Sequence, residues 1–168
     1  MKSICAKNLI RSALVLYLGL ALGHTRPLGA QVPWPVASQF SAGAQNTAQN
    51  GVRSQAGTLQ NTLRSAPTYL TGAYELVWQQ FQMFCDSYNG LRSTLSPQQL
   101  QAGANDLAEL DAGLGILQES FANYQQDIAA GQSANRALLN MCQVLGRATT
   151  IWLQQFNKVC IRLRVGWV

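Results

Sequence analysis

Leu100, Leu107, Leu114, Phe121 and Ile128 recur every seven residues, and Leu110, Leu117 and Tyr124 form a second row between them. This spacing is the a/d seam of an α-helix and predicts one continuous helix over residues 96–128. Gln, Asn, Asp and Glu fill most of the other positions, so the seam needs partner helices to keep it from water. Two further stretches supply them. Leu70, Val77, Phe84 and Leu91, flanked by Tyr74, Phe81 and Tyr88, predict a helix from Thr68 to about Leu91 that stops at Asn89-Gly90. Leu138, Leu145, Trp152 and Val159, with Cys142, Thr149, Phe156 and Leu163 beside them, predict the last helix. Ser96 as N-cap, Pro97 at the first helical position and Gln99 completing a capping box mark the clearest helix start, and Ser133 after Gly131 is the cap of the last helix. The connections at 92–95 and 130–132 are only long enough to reverse the chain.

Ahead of these helices the pattern thins. Phe40, Ala44, Ala48, Val52, Ala56, Leu59 and Leu63 keep helical spacing over residues 38–65, but Gly43, Gly51 and Gly57 each cost about 1 kcal/mol of helix stability relative to Ala. The stretch reads as a weak helix with a small-residue face, or as an arm. Pro33, Trp34 and Pro35 make residues 31–36 extended, a linker or docking strap with Trp34 as a partner contact. At the other end, Ile161, Leu163, Val165 and Trp167 alternate with Arg162, Arg164 and Gly166, which fits either a helix fraying into an apolar terminus or a strand added to a partner's sheet edge. The predicted fold is all-α: an up-down-up bundle of three long antiparallel helices with a weaker N-terminal fourth helix or arm. Its parts are a leader at residues 1–30, the extended start and weak helix at 31–66, the bundle at 67–164 and an apolar tail at 165–168.

Charge is sparse, at 11% of 168 residues, and the formal net charge is +5. Lys2, Lys7, Arg11 and Arg26 are four of the twelve basic residues; the remaining eight face seven acids, a net of +1 beyond the leader. The basic balance therefore gives no support to a nucleic-acid partner. A basic start, an apolar run at residues 12–23 and small residues before Ala30 form a secretory signal peptide pattern, with Ala21 and Gly23 offering an earlier cut. Twelve helical residues span roughly 18 Å, short of a hydrocarbon core of ~30 Å, so a cleaved leader is expected rather than an anchor. The apolar final segment, interrupted by Arg147, Lys158 and Arg162, does not read as a span. The expected location is the periplasm, the cell surface or the exterior.

Export brings the cysteines into an oxidising compartment. Reflecting positions through the two expected turns sends Cys85 to about residue 102 and then to about residue 161. That predicts a Cys85–Cys160 disulfide, contributing on the order of 2 to 4 kcal/mol. Cys142 falls at the opposite end as the odd thiol, a small buried hydrophobe. Asp106, Glu109, Asp111, Glu119 and Asp127 all lie on the central helix, whereas Arg136, Arg147, Lys158, Arg162 and Arg164 lie on the last helix and tail. Antiparallel packing pairs Asp127 with Arg136 and Asp106 with Lys158.

Recognisable catalytic equipment is absent. The sole histidine, His24, belongs to the leader, leaving the mature chain without a Ser-His-Asp or Cys-His arrangement or an imidazole metal ligand. The cysteines lack CxxC spacing, and Asp106 with Glu109 lacks the Glu-x-x-His companions of a di-iron bundle. Gly113-Leu-Gly115 has neither the preceding strand nor the third glycine of a phosphate loop. Trp78, Phe81, Phe84 and Tyr88 sit at core spacing rather than interleaved with bases. No enzyme activity, metal or cofactor is expected.

The succession of leader, Pro-Trp-Pro start, Gln-rich weak helix and long antiparallel helices is similar in outline to the small helical pilus-tip and accessory proteins of bacterial conjugation (type IV secretion) systems. The resemblance is one of architecture, not of a motif. It implies a non-enzymatic interaction or assembly component of the cell envelope or surface, with a protein partner or self-association. The expected contacts are Trp34, Phe40, Arg162, Arg164 and Trp167. Two other readings stay open: a secreted helical ligand of the signalling type, and a small-molecule carrier with a cavity among Trp78, Trp152, Phe121 and Phe156.

Overall fold

In the computed structural model, which describes residues 41–66 and 72–167, the apolar rows become five helices packed against one another, with no strand among the described residues. All of them belong to one compact unit, Ala37–Val168. Helix α1 is Ala42–Ser65, α2 is Ala73–Thr94, α3 is Pro97–Ala102, α4 is Ala104–Ala129 and α5 is Ala134–Arg162. The leader, Trp34, Phe40 and the expected Thr68 start lie outside the described residues.

The stretch with the thinnest stripe forms a helix of 24 residues. Ser41 caps it, its side chain accepting from the Ala44 N–H at 3.1 Å. Val52, Ala56, Leu59 and Leu63 are buried, and Gln45 and Gln49 extend that face. A Cβ added at Gly43, Gly51 or Gly57 would meet nothing within 4 Å, so these glycines sit on open faces and are not what permits close packing. Burial against α2 and α5 offsets their cost.

Helix α2 runs through the expected stop at Asn89-Gly90 and ends at Thr94. Leu91 and Leu95 are buried there and Arg92 pairs with Asp111, which overrides the local stop. The capping box at Ser96 and Gln99 forms in both directions with Pro97 inside it. The central helix is not continuous, however. It breaks at Gly103 into α3 and α4. Gly103 is buried, and a Cβ there would lie 2.6 Å from Leu163 Cδ1, so the chain bends where the end of α5 presses on it. The seam residues Leu107, Leu110, Leu114, Leu117 and Phe121 are buried, but Ile128 is exposed. All eight residues of the two rows read on α5 are buried. Ser133 occupies the N-cap position without making a side-chain cap bond.

Helix α1 packs against α2 and α5, and α4 packs against α5. Aromatic rings tie α2 to both later helices. Trp78 meets Phe121 edge-on at 4.8 Å, Tyr74 stacks on Tyr124 at 4.6 Å, and Phe84 and Tyr88 meet Trp152 edge-on at 4.9 and 5.3 Å. Trp152 also donates its indole N–H to the Leu110 carbonyl at 2.9 Å. Gly113 leaves it room, since a Cβ there would stand 2.8 Å from Trp152 Cδ1.

One end of the unit is closed by two glutamines. Gln45 Nε2 donates to Thr94 O (2.9 Å) and Gln99 Oε1 (2.8 Å), while Gln45 Oε1 accepts from Gly166 N (2.9 Å) and Gln99 Nε2 (3.3 Å). Gln99 Nε2 also donates to Leu163 O (3.0 Å), and Gln99 Oε1 accepts from Ser96 N (2.9 Å). Each amide thereby uses two donors and two lone pairs. The backbone groups they reach are those that helix ends leave unpaired. The tail arrives at this knot through a helix-ending turn. Val165 N bonds to Cys160 O at 2.9 Å, Arg164 stands at φ 51 and Gly166 at φ 74. Leu163 and Val165 are buried, so the alternating tail is neither strand nor frayed helix but a turn folded onto α1 and α3.

Replacing Gln45 by Leu would strand the Thr94 carbonyl, the Gly166 N–H and half of the Gln99 amide. Urea unfolding of Gln45→Leu is expected to show a loss of about 2 to 3 kcal/mol, against less than about 0.5 kcal/mol for Gln98→Ala on an exposed face.

Candidate functional site

A surface groove with both apolar and charged walls lies between α4 and α5. The groove, of about 360 Å³, is floored by Leu110, Gly113 and Trp152 and flanked by Ile116 and Ile151. Ile116 and Ile151 are 59% and 61% exposed, and Val144, seven residues before Ile151 on the same helix, is 55% exposed. Asp106 and Glu109 edge one end of the groove from α4, with Lys158 and Arg162 opposite them on α5. The floor exists because Gly113 admits the Trp152 ring and the indole bond to Leu110 holds it there. These exposed apolar residues stand outside the core rows. Val144 and Ile151 form a third seven-spaced pair on the last helix, a pattern visible in the sequence but masked by the two stronger rows beside it.

Of the contact residues expected from the sequence, three can be placed. Arg162 lines this groove and pairs with Asp106, so Asp106 is met one turn further along α5 than the expected Lys158. Arg164 is exposed in the terminal turn. Trp167 is 63% exposed beside Asn46, Gln49 and Arg53, across the molecule's closed end from the apolar groove. The structure does not bring Trp167 into the same groove as Arg162.

Among the described residues no disulfide is formed, and Cys85, Cys142 and Cys160 are all buried. The contacts explain why the expected Cys85–Cys160 pair does not form. Tyr88 reaches Asp111 and Trp78 reaches Phe121, so Cys85 stands opposite the 111–121 part of α4 rather than residue 102. On α5, Phe84 meets Trp152, whereas Cys160 lies two turns beyond it, against Gln49 and Arg53. The residues spent in α3 before α4 begins shift the register. Burial pushes the Cys142 and Cys160 thiols up to about 11, with Gln49 and Arg53 opposing the shift at Cys160.

The four rings considered as a carrier site do not surround a common space. Trp78 and Phe121 contact each other, while Trp152 stacks on Phe156 at 5.2 Å. Beside them Tyr88 donates to Asp111 Oδ1 (3.2 Å), Arg92 Nη1 donates to Asp111 Oδ2 (2.6 Å), and the guanidinium stands 5.9 Å from the centre of the Tyr88 ring. Burial, then the Asp111 charge, raise the Tyr88 hydroxyl above its ordinary value, and Arg92 works against them. Such a phenol stays neutral and acts as a structural donor.

No family model, curated protein or solved structure matches the chain. Among the described residues no group of three or more His, Cys, Asp or Glu could hold a metal ion, and no helix is long and apolar enough to cross a membrane.

Two outcomes follow from the ionisations. A tyrosine whose folded pKa is raised contributes stability that is complete below about pH 10 and lost above it, because only the unfolded chain then releases the proton. Denaturation from pH 8 to 11.5 is expected to show stability falling from about pH 9, where the thiols of the unfolded chain ionise, and falling beyond pH 10 by about 1.4 kcal/mol per pH unit more in the wild type than in Tyr88→Phe. A thiol near 11 holds roughly 100-fold less thiolate at pH 8 than one at 9. Iodoacetamide labelling of Cys142 and Cys160, followed by mass spectrometry, should be at least ~100-fold slower in the folded protein than in urea and should rise steeply to pH 10.

Proposed function

We propose that this chain is a non-enzymatic, exported helical bundle that acts as an interaction or assembly component of a bacterial cell envelope or surface, of the kind secretion and conjugation machines use. In this reading residues 1–30 are removed on export, and α1, α2, α4 and α5 alternate in direction as an up-down bundle whose fourth member is the N-terminal helix. Contacts that support the alternation are Gln45 with Thr94, Arg53 with Asn157 and Gln60 with Thr150, each pairing numbers that rise on one helix and fall on the other. Trp34 and Phe40 remain proposed contacts at the start of the mature chain, and Arg164 and Trp167 at its end.

The observation that carries the reading is the pair of Ile116 and Ile151 left exposed on the flanks of the α4/α5 groove, with Val144 exposed two turns before Ile151 on α5. Leu76, Met83, Leu139, Ile161 and Trp167 are exposed elsewhere, but Ile116 and Ile151 flank one groove beside charged edges, which has the composition of a contact surface. It is shaped for another protein surface rather than for chemistry.

A photo-cross-linking residue at position 151, introduced in the producing cell, is expected to form a protein adduct that the same residue at exposed position 98 does not. Adducts at neither position would overturn the reading. The intact mass of the natively produced protein is expected to begin near Gln31; a mass beginning at Met1 would remove export from the proposal.

A further inference from the structure

We propose that the α4/α5 face binds a second copy of this chain about a two-fold axis parallel to the helices. This rests on the reading of that face as a contact surface and names its occupant. The argument starts from the segregation of charge. Helix α4 carries acids and no Lys or Arg, and α5 carries bases and no Asp or Glu, so the groove between them has one edge of each sign. Asp106 and Arg162 satisfy each other across it. Glu109 and Lys158 line the same end of the groove, yet among the described residues neither makes an ion pair within the chain.

A two-fold axis along the helices lays α4 of one copy over α5 of the other at unchanged height. Each Glu109 then faces Lys158 of the second copy, twice per pair, and the strip of Ile116 and Ile151 meets its own image. A face of one sign would meet like charge under the same operation. This face gains both its missing charge partners and cover for its apolar strip from a copy of itself. The size fits as well. Helix α4 has 26 residues, about 39 Å of length. Two helices at ~10 Å each make the face about 20 Å wide, close to the ~800 Å² per partner that stable pairs bury.

The test uses the natively produced protein in sedimentation equilibrium over a concentration series. The wild type is expected to show a monomer–dimer equilibrium that weakens with added salt. Glu109→Lys and Lys158→Glu, each alone, create two like-charge contacts per pair and should weaken association at least ~10-fold; mixed one to one, they restore it to within ~3-fold of wild type. Ile151→Asp should abolish it. All three positions are exposed, so unchanged thermal melts of the isolated monomers will show that the fold is kept. A wild type that stays monomeric to ~200 µM would overturn the proposal. So would single variants that associate as well as wild type, or a mixture that fails to recover. The cross-linking experiment separates the two levels: adducts at position 151 that contain only this chain support the pair, adducts with a different protein overturn the pair but keep the contact surface, and no adduct overturns both.

Discussion

The reciprocal amide pair of Gln45 and Gln99 is the constraint on which the closed end of the fold depends. A bundle end usually leaves carbonyls and N–H groups to water. Here two side chains reach the last turn of α2, the cap of α3, the end of α5 and the terminal turn at once. With Gln45 4% exposed and every polar position of both amides used, the arrangement tolerates no half measure, because a buried amide that loses one partner strands the groups around it. The consequences spread outward. Holding Gly166 against Gln45 and Asn46 turns the tail inward, which seats Leu163 on Gly103, and that contact fits the break between α3 and α4.

From that break follows the register of everything else. Had the central helix run unbroken from Ser96, its seam would have met α2 about three turns earlier. Instead the chain spends α3 closing the end, and α4 begins late enough for Asp111 to meet Tyr88 and Arg92. Trp152 then locks the α4/α5 pair, its indole bonded to Leu110 and its ring seated over Gly113. One inserted short helix thus decides which cysteines stand level, which acid meets which base, and where the groove opens.

The seven-spaced rows were legible because burial of an apolar row is a local pattern repeated many times; both rows of α5 and most of the α4 seam are core in the structure. The capping box at Ser96 was legible for the same reason, since all its parts lie within four residues. What could not be read was long-range. Gly103 looks like any tolerated helical glycine until Leu163, sixty residues away, arrives against it. Gln45 and Gln99 look like two more solvated glutamines in a chain full of them. The strand-like tail misled because alternation of burial arises in any chain segment lying against a surface, and a turn with Arg164 at positive φ produces it as readily as a strand. Of the groove, the charged edges were visible as segregated signs, but the apolar strip between them was hidden beside stronger core rows.

The low charge of this protein gives the strip its significance. Proteins commonly keep an exposed apolar row harmless by surrounding it with charges that any approaching surface must desolvate. This chain covers its faces largely with amides and hydroxyls, which hydrogen-bond without repelling, and sets a small concentration of both signs of charge, Asp106 and Glu109 against Lys158 and Arg162, at the edges of one groove. Inside the chain that concentration yields a single exposed pair across the groove, Asp106 with Arg162, worth about 0 to 1 kcal/mol. So small a gain does not account for setting Asp106 and Glu109 of α4 opposite Lys158 and Arg162 of a helix without acids. The arrangement makes physical sense once a surface arrives from outside, because sign segregation costs little in water but orients whatever lands on the strip, in one register and against mismatched partners.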